Sequence, residues 1–83
     1  MKPVTIYTTT TCPFCVRAKQ VLKSNDVPFE EIDVSNDDAR RKWLLENTGQ
    51  RTVPQIFIGT LSIGGCVDLE AVVKKGELKA LLA

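Results

Sequence analysis

Histidine is absent from this chain of 83 residues. A structural zinc site takes four ligands, usually from Cys and His. Three cysteines without a histidine fall short of that set, so no metal site is expected. Charge of one sign is also lacking: 11 basic residues stand against 10 acidic ones, for a formal net charge of +1. That balance supports neither a nucleic-acid role nor a polybasic membrane role. No apolar run approaches the roughly 20 residues of a membrane-spanning helix. The opening "MKPVTIYTTTT" has one lysine and too short an apolar stretch for a secretory signal, so a cytoplasmic protein is expected. Repeats, low-complexity tracts and linkers are missing too. The length corresponds to one domain, residues 1–83.

What is present draws attention to "TTTTCPFCVRAKQ", residues 8–20, where Cys12 and Cys15 stand two residues apart. The third cysteine is Cys66. An odd number argues against a fully paired disulfide framework. In a reducing compartment a close pair serves catalysis or metal binding more often than structure. Another reading remains, that the cysteines are small core residues. It suits Cys66 better than the pair.

Hydrophobic periodicity gives one alternating series. "PVTIYT" sets Val4 and Ile6 on one face of a strand. Pro13 suits the first turn of a helix, where its missing N–H is no loss. Cys15, Ala18 and Leu22 then fall at helical spacing, with Val21 beside them, and "SND" ends the helix. "PFEEIDV" reads as a second strand. "SNDDARRKWLLENTGQ" reads as a helix, with Ser35 and Asp38 as a capping box and Gly49 at its end. Trp43 should pack on the sheet. "QIFI" and "LSI" form a hairpin around Gly59-Thr60. Gly64-Gly65 leads into a last helix with Leu69, Val72 and Val73 inward, before Gly76 and a short leucine-containing tail. The order βαβαββα implies an α/β fold, a small mixed four-stranded sheet flanked by helices.

This arrangement gives the cysteine pair its chemistry. Cys12 follows strand one and stands just before the helix. Cys15 lies one turn in, on the apolar stripe. One sulfur is therefore exposed at the helix N-terminus and the other is shielded beneath it. Free N–H groups and the positive end of the helix dipole favour a thiolate at Cys12. The thiolate is the attacking species in disulfide exchange. Cys15 is close enough to attack a mixed disulfide on Cys12 and release its partner.

Three motifs in order, "CPFC", "TVPQIFI" and "IGGCVDL", resemble those of the glutaredoxins, small members of the thioredoxin-fold superfamily. The resemblance runs over nearly the whole chain. It implies a thioredoxin-like fold and a glutathione-dependent thiol–disulfide oxidoreductase. The active site would comprise Cys12, Pro13, Phe14 and Cys15, with Cys12 as nucleophile and Cys15 as resolving thiol. Glutathione would be the reducing co-substrate, with no tightly bound cofactor. Partners would be disulfide-bonded or glutathionylated proteins, served by a monomer. Glutathione would contact Thr52, Val53 and Pro54, the family's cis proline, along a strand-like edge. The turn at Gly65, Cys66 and Val67 would hold its γ-glutamyl carboxylate on free N–H groups, with Asp68 near the ammonium. Without the family, the same turn reads as a helix start stabilised by an acidic residue. Many glutaredoxins carry a lysine three residues before the first cysteine. Here that residue is Thr9, and Arg41 is the candidate to compensate; its other reading is a solvated charge on a helix face.

Two further functions compete. One is a similar hydrogen donor reduced by a thioredoxin reductase, against which "IGGCVD" speaks. The other is a non-enzymatic iron–sulfur carrier bridging two chains through Cys12 and glutathione. That role is associated with relatives having glycine after the first cysteine, and here the residue is Pro13.

Overall fold

A computed structural model describes residues 1–83. The chain runs β1 (Val4–Thr8), α1 (Pro13–Ser24), β2 (Glu30–Asp33), α2 (Asp38–Thr48), β3 (Gln55–Ile58), β4 (Leu61–Gly64), α3 (Cys66–Lys74) and α4 (Leu78–Leu82). The sheet has the order β2-β1-β3-β4. β1 and β2 are parallel, with Ile6 opposite Glu31. β3 is antiparallel to both β1 and β4. In the β3–β4 turn, Gly59 takes a positive φ of 60° and Thr60 does not. That distribution suits a two-residue hairpin turn with glycine first.

The period of two along the central strands divides the core between two faces. Val4, Ile6, Ile56 and Ile58 meet Ala18 and Leu22 of α1, Cys66 and Leu69 of α3, and Leu78 and Leu82 of α4. Tyr7 and Phe57 point the other way, where Val34 and Leu44 join them. β3 is buried along its whole length, as a central strand covered on both faces must be. α1 therefore lies on the heavier face, fixed by a stripe that holds Cys15 inward with Ala18 and Leu22. Each fully buried aliphatic side chain there contributes roughly 1.5–3 kcal/mol.

Two expectations need correction. The tail after Gly76 is a further helix, α4, because Leu78 and Leu82 are one turn apart and both find the core. The order is thus βαβαββαα. The cap of α2 is Asp37, whose carboxylate accepts the Arg40 N–H at 2.9 Å. Ser35 is drawn away from the helix, since its hydroxyl accepts the Thr10 N–H at 2.9 Å. Trp43 packs on the sheet as expected, with ring centroids 5.9 Å from Tyr7 and 5.7 Å from Phe57, and 43% of it stays exposed.

Candidate active site

Cys12 caps α1. Its backbone is extended, at φ −119° and ψ 103°, and its Sγ accepts the Cys15 N–H at 3.2 Å. Its carbonyl accepts from Cys15 and Val16. The sulfur thus occupies the place where an N-cap oxygen usually sits, facing the unpaired N–H groups of a helix start. As a thiol, Cys12 also donates to the Val53 carbonyl at 3.6 Å. It is half-buried and so remains accessible. Pro13, exposed, takes the first helical position.

Cys15 is only 1% exposed. Burial and the hydrogen bond with Cys12 push its thiol up to about 12. Near neutral pH it is therefore a protonated, shielded partner. Lys19, one turn on, acts weakly in the opposite direction. The Lys19 ammonium is tied at 3.0 Å to Glu31, whose carboxylate also accepts the Thr8 hydroxyl at 2.8 Å. Cys66 is 4% exposed, and its thiol is raised by burial and by the Glu70 carboxylate. All three cysteines are free.

A groove of about 300 Å³ adjoins the pair, at the small end of the range for ligand sites. Phe14, Thr52, Val53 and Pro54 form part of its lining, and the Gly65–Asp68 turn closes it. Phe14 is 55% exposed. The Val53–Pro54 bond is cis. The Val53 carbonyl accepts only from Cys12, and the Val53 N–H has no partner. An unpaired backbone N–H thus lies beside Cys12.

Gly64 and Asp68 shape the turn together. Gly64 has φ +109°, and a Cβ there would stand 2.5 Å from Asp68 Oδ2. That oxygen accepts the Gly65 N–H at 3.0 Å and so holds the entry to α3. The capping role is therefore realised, while Asp68 still borders the groove.

The structure gathers all the sequence-derived candidates but one. Arg41 is exposed on α2 and does not line the groove. Gln50 does line it, and sequence reasoning missed that residue. Its only signal was position, three residues before Val53. A larger hollow, about 430 Å³, lies beside Trp43 with Tyr7, Asp37 and Arg40, but no cysteine borders it. The smaller groove is the one lined by Phe14 of the cysteine motif and by Val53, which Cys12 contacts.

A model of the glutaredoxin family matches residues 4–63. The chain belongs to the glutaredoxin family. Glutaredoxin of Pseudomonas aeruginosa is 48% identical over 83 residues, covering 100% of this chain and 99% of that protein. Glutaredoxin 3 of Escherichia coli K12 is 46% identical over 82 residues, 99% of each chain. Among solved structures, a buckwheat glutaredoxin–glutathione complex superposes with a TM-score of 0.91 at 33% identity, over 98% of this chain and 76% of that one. The solution structure of Brucella melitensis glutaredoxin gives 0.89 at 45% identity, over 99% and 89%. The fold is thioredoxin-like, and glutaredoxin membership carries thiol–disulfide oxidoreductase chemistry. No helix is long and apolar enough to cross a membrane.

Proposed function

We propose that this glutaredoxin uses glutathione to reduce mixed disulfides and protein disulfides in the cytoplasm, acting as a monomer. One observation carries the reading: Cys12 Sγ takes the Cys15 N–H at a helix start, beside the unpaired N–H of Val53. The first feature gives the Cys12 sulfur a hydrogen-bond donor at a helix start, and the second offers an unpaired backbone N–H to a short peptide thiol.

With a glutathionylated protein, the Cys12 thiolate attacks the glutathionyl sulfur. A Cys12–glutathione disulfide forms, and the protein thiolate leaves and takes a proton from water. A second glutathione thiolate then attacks the bound glutathionyl sulfur, releasing Cys12 and glutathione disulfide. With a protein disulfide, Cys12 forms a mixed disulfide with one substrate sulfur, and the other leaves as a thiolate that takes up a proton. Cys15 attacks the Cys12 sulfur, its proton passing to the departing substrate thiolate, so that an intramolecular disulfide closes and the reduced substrate leaves. Two glutathione thiols in turn then reduce that disulfide and depart as glutathione disulfide. Burial protects Cys15 from intermolecular attack. During these steps Thr52, Val53 and Pro54 hold the tripeptide backbone. The N–H groups of Cys66 and Val67 hold its γ-glutamyl carboxylate, with Gly65 permitting close approach and Asp68 facing the ammonium.

A coupled assay with glutathione, glutathione reductase and a small mixed disulfide tests the reading. Cys12→Ser should abolish turnover. Cys15→Ser should retain reduction of glutathione mixed disulfides and lose most protein-disulfide reduction. Equal loss of mixed-disulfide activity in both variants would refute the division of roles.

A further inference from the structure

The Thr52 carbonyl can only accept a hydrogen bond. It lies 2.8 Å from the side-chain amide of Gln55, so the group facing it must be the donor, Nε2. The same Nε2 reaches Gln50 at 2.9 Å. A donor there demands an acceptor, so Gln50 presents Oε1 to Gln55. Gln50 Nε2 is turned away, with two N–H groups and no protein partner. The arrangement leaves Gln55 Oε1 buried and unpaired, although Gln55 is wholly buried. Reversing Gln55 would set oxygen against oxygen at Thr52. The Thr52 carbonyl thus dictates the orientation of both amides.

Gln50 lines the groove with Thr52 and Val53. The α3 turn adjoins the other end of that segment: a Cβ on Gly65 would lie 3.5 Å from the Pro54 carbonyl. Glutathione carries a carboxylate at each end. If the α3 turn holds the γ-glutamyl one, the glycine carboxylate extends past Val53 toward Gln50. Two to three extended residues span about 7–10 Å.

We infer that Gln55 positions Gln50 as a hydrogen-bond donor to the glycine carboxylate, making Gln50 a specificity-determining residue for the complete tripeptide. This rests on the glutathione reading above. Gln50 would touch the ligand, and Gln55 would act only through Gln50. A neutral amide at this place supplies donors where Thr9 supplies no ammonium.

The test compares a peptide glutathionylated on cysteine with the same peptide carrying γ-glutamylcysteine, which lacks the glycine and its carboxylate. The wild-type protein should show a KM about tenfold lower for the complete tripeptide, equivalent to ~1.4 kcal/mol. Gln50→Leu should raise that KM about tenfold, leave kcat unchanged, and abolish the preference between the two substrates. Gln50→Lys restores a donor and should keep the preference. Gln55→Leu, which frees the Gln50 amide to turn, should raise KM only a few-fold. A Gln50→Leu protein that still discriminates would overturn the inference. So would equal KM increases on both substrates, which would mean that Gln50 acts through the loop. If wild-type turnover does not depend on glutathione at all, the underlying glutathione reading fails, a result distinct from either of those.

Discussion

Asp68→Ala should cause two losses at once, and Asp68→Asn should separate them. Asp68 Oδ2 accepts the Gly65 N–H at 3.0 Å, closing the first turn of α3. Losing a capping acceptor costs about 0.5–2 kcal/mol. In a domain of this size each kcal/mol moves Tm by roughly 4–8 °C. Asp68→Ala should therefore lower Tm by about 2–16 °C. The second loss is at the ligand. A hydrogen bond to a charged group is worth about 1.5–3 kcal/mol, so KM for glutathione substrates should rise roughly ten- to a hundredfold. Asparagine keeps a side-chain oxygen for the Gly65 N–H but removes the charge offered to the ammonium. Asp68→Asn should recover most of the Tm while KM stays high. Melting curves and steady-state kinetics on the same preparations would measure both. An asparagine variant that restores KM together with Tm would refute the ligand role, leaving Asp68 as a cap alone.

The remaining predictions concern the fold. Glu31 is held below the usual carboxylate range by the Thr8 hydroxyl and the Lys19 ammonium. Its contribution is present above the unfolded value, about 4.3, and is lost as pH falls through the lower folded value. Glu31→Gln should flatten the acid side of a Tm-against-pH curve. Cys15 shifts the other way: its stabilising effect is complete below the unfolded value, about 8.5, and declines as pH rises from there toward about 12. Cys15→Ala should reduce the alkaline slope of the same curve. Leu22 is 0% exposed, so Leu22→Ala should cost about 2–5 kcal/mol and lower Tm by at least about 10 °C, read by denaturant or thermal unfolding.

The fold was legible where a side chain's role depends on its near neighbours. Cys15, Ala18 and Leu22 announced the buried face of α1 by spacing alone, and Pro13 marked its first residue. The alternation in β1 separated Val4 and Ile6 from Tyr7. The failures came where distant residues compete for one group. Ser35 looks like a helix cap until the Thr10 N–H, 25 residues away, is seen to occupy its hydroxyl. Leu78 and Leu82 looked like a tail because what makes them helical is the core they meet. At the site, motif resemblance located the cysteines, the proline and the glycine turn. It did not locate Gln50, whose place in the groove depends on a buried glutamine five residues on.

The cap on α1 also links folding to redox poise. In the proposed mechanism, the atom that secures the helix start is also the atom that reacts. Once Cys12 enters a disulfide its sulfur is a weaker acceptor, and its hold on the Cys15 N–H loosens. Part of what α1 gains from the reduced sulfur is therefore lost in every oxidised form. By thermodynamic linkage, that difference raises the reduction potential of the site. A cap is worth about 1 kcal/mol, which for a two-electron couple corresponds to roughly 20 mV. Substitutions along the first turn of α1 should thus adjust the potential without touching either sulfur, making the helix start a tuning element for electron transfer.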